Sequence, residues 1–239
     1  MSALSALFSG LDRLGPGNAE SVRWALGVAG TPKTARILDA GCGTGADLGV
    51  LNAAAANGQL VAIDREVSFV ERARKRVPGI EVAVADMAHP PGAPFDLIWS
   101  AGAVYNLGVA NALAGWRNCL TRDGCVAFSD LRARIENPPT EVIEFWASEG
   151  VDLQSTAMLE AEVIGAGYEI LGTRWVGTAG WASYYGPLEV ELDHFDADPD
   201  LAAALRAEIA LWRTHGVTYG YRIIVARPMS AATREQVGV

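Results

Sequence analysis

The chain has 239 residues, and its 28 acidic residues outnumber its 19 lysines and arginines, giving a formal net charge of −9. Hydrophobic residues make up 50% of the sequence and charged residues 20%, proportions that exclude a disordered chain and suit one domain with a large buried core. We expect no nucleic-acid partner, because such binding depends on a basic face that neutralises phosphates.

Short apolar runs alternate with helix-like segments in the first half of the chain. Apolar runs that end in a turn signal indicate strands, and the segments between them indicate helices. In chain order, the predictions are a strand over 35–41, a helix over 45–58, a strand over 59–64, a helix over 67–77, strands over 81–86 and 95–100, a helix over 110–120, a turn over 121–124 and a strand over 125–130. This alternation predicts an α/β protein with a doubly wound parallel sheet that is buried on both faces.

The regular alternation of strands and helices ends after the fifth predicted strand. One helix is expected to begin after Pro138-Pro139, with Thr140 as its cap, and another to begin at a cap of Ser155 or Thr156. The remaining predictions are strands over 168–176 and 219–228, an insertion of about 40 residues between them that contains a helix over 200–216, and an unstructured tail after Pro228.

The cysteines and the N-terminus bear on the cellular compartment. Cys42, Cys119 and Cys125 are odd in number and lack a Cys-x-x-Cys spacing, so we expect neither a disulfide framework nor a zinc site. The first basic residue, Arg13, follows the apolar N-terminal stretch, which makes that stretch a poor signal peptide. No run of about 18 apolar residues is present. These features predict a cytoplasmic protein with no metal site and no membrane partner.

The strongest functional motif is ILDAGCGTGAD (37–47), in which a strand leads into Gly41, Gly43 and Gly45 and a helix follows. Glycines let the backbone approach a ligand closely, and the N–H groups of a helix N-terminus attract an anionic group. The spacing also fits the dinucleotide-binding fingerprint. Asp64 ends the second strand about 20 residues later, where an acid binds ribose hydroxyls. The loop and Asp64 together therefore leave NAD and S-adenosylmethionine open.

Two further acids favour S-adenosylmethionine. Asp39 lies two residues before the first glycine, where it would attract a sulfonium or ammonium group and repel a pyrophosphate. Asp86 ends the third predicted strand and precedes Met87, an acid and an apolar side chain that suit the amino group and the ring face of adenine. The loop after the fourth strand lies at a carboxyl end, where ligands bind in open α/β sheets.

With these motifs the chain resembles the class I S-adenosylmethionine-dependent methyltransferases. More narrowly, it is similar to a bacterial subgroup (methyltransferase domain types 11 and 25) that acts on small molecules of mostly unassigned identity. The segments that carry the resemblance are GPGN (15–18), ILDAGCGTG (37–45), AID (62–64), AD-Met (85–87), FDLIWS (95–100), WSAGAVYNLG (99–108), ENPPTEVIEFW (136–146), WASYYGPLE (181–189) and YGYRIIVARP (219–228). The resemblance implies a Rossmann-like, seven-stranded, mostly parallel sheet with an antiparallel last strand and helices on both faces.

The resemblance also implies a division of the chain and a set of site residues. It implies a single domain over 1–239, with an N-terminal helical lid over 1–30, a cofactor-binding core over 31–130, and substrate-capping insertions over 131–168 and 177–218. The residues that it places at S-adenosylmethionine are Asp39, Gly41, Cys42, Gly43, Thr44, Asp64, Arg65, Asp86, Met87, Ser100 and Ala101.

The methyl acceptor and any catalytic base stay unidentified at this stage. Methyl transfer displaces an already activated sulfonium in line, so a dry aromatic pocket suffices when the nucleophile carries no proton. The candidates for that pocket are Tyr105, Tyr184 and Tyr185, with Trp181 beside them; ordinary packing of the insertion is the alternative role. His215 ends a predicted helix, where an interaction with the helix dipole is the common role.

One departure from the resemblance concerns Ala101, which stands where related sequences often carry glutamate. An alternative to an active methyltransferase acting on a small molecule is therefore a cofactor-binding protein with reduced or lost activity. An NAD-dependent oxidoreductase is supported only by the glycine spacing and Asp64. It lacks a Tyr-x-x-x-Lys pair, since Tyr105 is followed four residues later by Val109. Monomer and homodimer both stay open.

Overall fold

The computed structural model describes residues 3–230 and Thr233. The tail predicted to be unstructured lies, beyond Ser230 and apart from Thr233, outside the described residues. In chain order, the elements are α1 (Ala3–Gly10), α2 (Ala19–Val28), β1 (Arg36–Ala40), α3 (Leu48–Ala54), β2 (Gln59–Asp64), α4 (Val67–Arg76), β3 (Glu81–Val84), β4 (Phe95–Ala101), a 3₁₀ turn (Val104–Asn106), α5 (Val109–Arg117), β5 (Leu120–Ala133), α6 (Thr140–Ser148), α7 (Thr156–Gly165), β6 (Tyr168–Trp175), α8 (Thr178–Leu192), α9 (Pro199–His215) and β7 (Tyr219–Pro228).

The strands form one seven-stranded sheet in the order β3-β2-β1-β4-β5-β7-β6. Pairing is parallel from β3 through β5, and β7 is antiparallel to both of its neighbours, β5 and β6. The predicted doubly wound sheet with an antiparallel last strand is therefore confirmed. The strand order reverses between β1 and β4, and in such sheets the ligand crevice lies at the carboxyl ends of the strands beside that reversal.

The register brings the predicted site motifs to one edge of the sheet. Asp39 of β1 pairs with Ala62 of β2 on one side and with Trp99 of β4 on the other. Asp64, the last residue of β2, pairs with Val84, the last residue of β3. The glycine loop, the end of β2 and the end of β4 therefore meet at the same place.

A hydrophobic core lies on each face of the sheet, because side chains alternate along every strand. Ile37 and Leu97 point into the core that α2, α3, α8 and α9 cover, whereas Leu38 and Ile98 point into the core that α5 and α7 cover. Strands buried on both faces read as continuous apolar runs, which is why they were recognisable in the sequence. The expected helices on both faces are confirmed.

Three local predictions differ from the structure. The predicted turn over 121–124 lies inside β5, as an irregular stretch where the β4 pairing shifts from Leu120 to Cys125. Thr140 is the first residue of α6 and does not cap it, because Pro139 occupies the N-cap position. Residues 178–192 form a continuous helix, although only residues 200–216 of the insertion were predicted as helical. The alternative cap Ser155 is confirmed, since its side chain accepts the N–H of Met158.

Among the helices that the structure describes, none combines the length and apolarity needed to cross a membrane. Within the same part of the chain, no three His, Cys, Asp or Glu side chains are grouped as a metal site requires.

Candidate functional site

A cavity of about 280 Å³ opens at the carboxyl ends of β1, β2 and β4. A second recess of about 100 Å³ adjoins it, and the two share Gly41, Asp64 and Arg65. The side chains and backbone that line the cavity include Leu4, Phe8, Arg13, Leu14, Pro16, Asp39, Gly41, Cys42, Gly43, Thr44, Asp47, Asp64, Arg65, Glu66, Phe69, Ala101, Gly102, Tyr105 and Asn106. This is where the strand order predicts a ligand.

The glycine loop needs its glycines at this position. Gly41 and Gly43 have φ values of +81° and +53°, which L side chains rarely adopt. The N–H groups of Gly41 and Cys42 both donate to the carbonyl of Ile63 at 2.9 Å, which ties the loop to the end of β2. A Cβ on Gly41 would stand 2.7 Å from the Cβ of Ala103. The loop therefore packs directly on the segment after β4.

Asp64 joins the loop to the start of α4. Its Oδ2 accepts the N–H of Gly43 at 2.8 Å, and its Oδ1 accepts the N–H of Glu66 at 2.9 Å. Each carboxylate oxygen has a further lone pair, so the side chain retains capacity for a ligand's hydroxyls. Because Asp64 borders both the cavity and the recess, it lies at the junction between them.

Asp39 is a buried acid beneath the loop, with only 3% of its surface exposed. Burial raises the pKa of Asp39 well above its usual range, and the neighbouring carboxyls of Asp47 and Asp64 raise it further, whereas Arg13 opposes the shift. The cavity floor thus brings three carboxyls together, and a bound cation would favour their ionised forms.

Arg13 reaches into the cavity from the segment between α1 and α2. Its guanidinium forms an ion pair with Asp47, and the Nε1–H of Trp99 donates to the other oxygen of that carboxylate at 3.0 Å. The side chains of Arg13 and Asp47 are 14% and 8% exposed. The sequence motifs do not single out this pair as functional, although Asp47 closes the glycine motif and Arg13 is the first basic residue of the chain.

The N-terminal segment is tied to two other parts of the site. The Thr44 hydroxyl donates to the carbonyl of Asp12 at 3.0 Å, which joins the segment to the glycine loop. The N–H of Gly17 donates to the carbonyl of Gly180 at 3.0 Å, and the Ser183 hydroxyl donates to the carbonyl of Gly17 at 2.6 Å. Residues 11–18 therefore bridge the glycine loop and α8.

The recess contains the acid and methionine that follow β3. Asp86 and Met87 line it together with Arg65, whose guanidinium contacts the side-chain oxygen of Asn106 at 3.4 Å. The carboxylate of Asp86 accepts the N–H of Ala88 at 2.8 Å, which orients the loop. An acid, a thioether and an arginine thus surround a shallow space beside the larger cavity.

Two of the residues predicted at the cofactor have their polar atoms engaged elsewhere. Ser100 is fully buried, donates to the carbonyl of Ala40 at 2.7 Å, and does not line the cavity. Cys42 does line the cavity, but its thiol contacts the carbonyl of Gly43, and burial raises its pKa. The other predicted residues, including Ala101, border either the cavity or the recess.

The three candidate tyrosines occupy different environments. Tyr105 lines the cavity and is 62% exposed. Tyr184 and Tyr185 do not line it; both are buried in an aromatic cluster on α8, α9 and β7. We define this aromatic cluster as the six rings whose neighbouring centroids lie 5.1–6.1 Å apart: Trp181, Tyr184, Tyr185, Trp212, Tyr219 and Tyr221.

A carboxylate is packed against the aromatic cluster. The Tyr185 hydroxyl donates to Glu208 of α9 at 2.7 Å. Burial raises the pKa of Glu208, and burial also raises the pKa of Tyr184 and Tyr185, with Glu208 as the next cause. Both phenols therefore stay protonated, which makes neither of them a good candidate for a general base. His215 ends α9 as expected and pairs with Glu141.

Comparison with known proteins identifies the core of the chain. A family model described as a methyltransferase domain matches residues 37–124. Residues 37–124, less than half of the chain, are thus similar to a methyltransferase domain. The matched stretch includes the glycine loop, Asp64 and the segment after β4, which line the cavity, and Asp86, which lines the recess.

One curated relative is trans-aconitate 2-methyltransferase of Acidovorax sp. (strain JS42). It is 28% identical over 120 residues, which are 49% of this chain and 46% of that protein. The chain therefore spans about half the length of the curated relatives it matches.

Solved structures share the fold over a longer stretch than the methyltransferase domain. An S-adenosylmethionine-dependent methyltransferase from Thiobacillus denitrificans, in complex with S-adenosyl-L-homocysteine, has a TM-score of 0.77 at 18% identity and covers 95% of this chain and 99% of its own. One from Geobacter sulfurreducens, with the same compound, has a TM-score of 0.76 at 17% identity and covers 95% and 98%. The elements outside residues 37–124 thus follow an arrangement seen in both proteins.

Proposed function

We propose that this protein transfers a methyl group from S-adenosylmethionine to a small-molecule acceptor. The observation that carries the proposal is one cavity at which the glycine loop, the buried Asp39 and the strand-end Asp64 meet, beside a recess that holds Asp86 and Met87. The match of residues 37–124 to a methyltransferase domain supports it. The methyl acceptor and the transfer mechanism belong to the proposal.

The donor set fits S-adenosylmethionine along the whole length of the molecule. Asp86 and Met87 would hold the adenine, Asp64 the ribose hydroxyls, and Asp39 with Ala101 would border the methionine end. The raised pKa of Asp39 supports this orientation of the cofactor. Burial and neighbouring acids disfavour the ionised form of Asp39, and an ammonium or sulfonium group beside it would stabilise that form. Bound there, the compound would supply an activated methyl group on a positively charged sulfur.

The chain's own residues would position the reactants and exclude water. In this proposal, residues 1–30 act as a lid, because Arg13 and Pro16 line the cavity and Gly17 bonds to α8. Residues 131–168 and 177–218 act as the substrate-capping insertions. Tyr105 would face the acceptor, and in-line displacement needs no base unless the nucleophile is protonated.

The two alternative functions differ in the observations that support them. Binding of a dinucleotide is not favoured, because the carboxyl of Asp39 lies under the loop that would hold a pyrophosphate and would repel it. Reduced activity is motivated by Ala101, which lines the cavity where related sequences often carry an acid. Cytoplasmic localisation and the absence of nucleic-acid partners remain predictions from the sequence.

Calorimetric titration tests the proposal. S-adenosylmethionine and S-adenosylhomocysteine are expected to bind with one site per chain, and NAD is expected to give no heat of binding. Incubation with a metabolite pool should then release S-adenosylhomocysteine, and an Ala101→Glu variant run in parallel separates an active enzyme from one of reduced activity. Binding of NAD without either methionine compound would overturn the proposal.

A further inference from the structure

Arg13 is a cavity-lining cation with unused hydrogen-bond donors. It lines the cavity through a side chain that is 14% exposed, and it contacts Asp47 through Nη2. Its Nε and Nη1 make no hydrogen bond to any other residue that the structure describes. A guanidinium carries five N–H donors in a planar fork and stays charged at physiological pH. Arg13 can therefore hold Asp47 and still offer N–H groups to a second anion.

The chain's own contacts fix the position of this guanidinium. Asp47 holds it through Nη2, and Trp99 in turn holds Asp47 by donating to the second carboxylate oxygen at 3.0 Å. Nη1 lies against Gly17, where an added Cβ would stand only 2.8 Å from it. Gly17 is itself bonded to α8 through both its N–H and its carbonyl. The positive charge is thus held at the cavity wall, so an anion that binds there needs to order little of the chain.

The glycine loop uses most of its own N–H groups within the chain. Of the five N–H groups over 41–45, four donate to oxygens of the chain itself, namely those of Gly41, Cys42, Gly43 and Gly45. A backbone N–H that already donates to a protein oxygen is a poor partner for a further anion. An anionic group of a ligand near this loop therefore needs a side-chain donor.

The methionine end of the proposed cofactor brings such an anionic group. It is zwitterionic: its ammonium suits Asp39, but Asp39 and Asp47 would repel its carboxylate unless a cation lay beside it. Among the described residues that line the cavity or the recess, the basic side chains are Arg13 and Arg65. Arg65 borders the recess that the proposed function gives to adenine. Arg13, by contrast, lies close enough to Asp39 to oppose the rise in its pKa.

We infer that Arg13 binds the carboxylate of the cofactor's methionine end. The inference rests on the proposed function and adds to the cofactor site a residue from outside the matched stretch 37–124. Nη2 would keep Asp47 while Nε or Nη1 donates to the carboxylate, so the buried Asp47 is not left unpaired. A carboxylate on the methyl acceptor is the other source of the same group, and the experiment separates the two.

Two ligands that differ in the carboxylate test the inference without a chemical step. S-adenosylhomocysteine carries the carboxylate, whereas its decarboxylated analogue, in which an aminopropyl group replaces the homocysteine chain, keeps only the ammonium. In calorimetry, the full-length protein is expected to bind S-adenosylhomocysteine at least about tenfold more tightly than the analogue, because only the former makes a charge-assisted hydrogen bond to Arg13.

Variants locate the charge that the carboxylate recognises. Arg13→Gln keeps N–H donors for Asp47 but removes the charge, and it is expected to bring the preference for S-adenosylhomocysteine close to one. Arg13→Lys should retain part of the preference, since it restores the charge without the planar fork. Arg23→Gln on α2, where the arginine is exposed, is the matched control and should keep the full preference. If Arg13→Gln does not fold, the double variant with Asp47→Asn replaces it, because it removes both charges of the pair; the same loss of preference is expected.

The ratio of the two affinities distinguishes a binding residue from a structural one. A structural role for Arg13 would lower both affinities by the same factor, so an unchanged preference in Arg13→Gln would overturn the inference. Trans-aconitate, titrated into protein saturated with S-adenosylhomocysteine, tests the acceptor as the source: binding that depends on Arg13 would assign Arg13 to an acceptor and overturn the inference as well. Failure of S-adenosylhomocysteine to bind the unmodified protein would contradict the proposed function instead, so the two failures are distinguishable.

Discussion

At the scale of single residues, Asp39 combines a functional position with a cost in stability. Its pKa is raised in the folded chain, so the folded state holds its proton at pH values where the unfolded chain has released it. Stability associated with Asp39 is therefore present at low pH and declines as the pH rises through the raised pKa. Asp39→Asn should increase the free energy of unfolding at pH 7, with a gain that shrinks towards pH 4.

Urea unfolding at both pH values measures this effect, and Asp123→Asn is the matched control because Asp123 is exposed at the β5 irregularity. The same Asp39→Asn variant should bind S-adenosylmethionine more weakly, since it no longer offers a carboxylate to a cation. A variant that is less stable at pH 7, or equally stabilised at pH 4, would show that Asp39 is not under this electrostatic strain.

Asp64 is expected to contribute to the affinity for the cofactor as well as to the structure of the glycine loop. Asp64→Ala removes the acceptor for the N–H of Gly43 in the glycine loop and for the N–H of Glu66 before α4, as well as the partner for a ligand's hydroxyls. We expect a loss of affinity for S-adenosylhomocysteine on the order of 1–3 kcal/mol. Asp96→Ala is a matched control, because Asp96 also accepts two hydrogen bonds, but at the amino end of β4.

Calorimetry of both variants distinguishes a site residue from a structural one. Asp96→Ala should lower the melting temperature and leave the affinity unchanged, whereas Asp64→Ala should change the affinity by about 5- to 150-fold. The same affinity in Asp64→Ala and in the unmodified protein would remove Asp64 from the proposed binding site.

At the scale of elements, prediction succeeds where one physical signal dominates. The strands over 59–64 and 219–228 have the bounds that apolar runs and their flanking turns indicate. The helix over 45–58 is shorter in the structure, Leu48–Ala54, because the residues before it belong to the glycine loop. The helix at Thr178–Leu192 contains two internal glycines and Pro187, so its stability comes from buried Trp181 and its neighbours and not from local propensity.

The segment between α1 and α2 supplies the next prediction. Arg13→Met removes the partner of the buried Asp47 and should loosen residues 11–18, because no other cation pairs with that carboxylate in the described part of the chain. Hydrogen exchange is expected to rise in this segment and in residues 178–183, which it contacts through Gly17. The affinity for S-adenosylhomocysteine should fall about tenfold.

The control for this prediction is Arg23→Met on α2, where the arginine is exposed. It should leave both exchange and affinity as they are. Faster exchange in Arg13→Met without any change in affinity would mean that the segment is a structural strap and not a lid over the binding site.

At the scale of the whole molecule, the two sides of the site differ in how far sequence predicts them. The cofactor side is built from the ends of consecutive strands, so chain order and the βαβ rule place Asp39, Asp64 and Asp86 together. The opposite side brings Gly102, which lines the cavity, next to Tyr221 of β7, more than a hundred residues later in the chain. No local pattern encodes that meeting, because it depends on the pairing of β7 with β5.

The whole molecule also provides a test of cofactor choice that requires no variant. A ligand that binds only the folded chain stabilises it by RT ln(1 + [L]/Kd), or about 2.7 kcal/mol at a concentration one hundred times Kd. For a chain of this size each kcal/mol corresponds to roughly 2–4 °C in melting temperature, so S-adenosylhomocysteine should raise it by about 5–11 °C. NAD at the same concentration should leave the melting temperature unchanged. Because residues from the stretch Leu4–Pro16 and the strand ends both line the cavity, the shift should reach the N-terminal helices and the sheet together, as one cooperative transition. A rise with NAD, or separate transitions for the two regions, would contradict a single binding site shared between them.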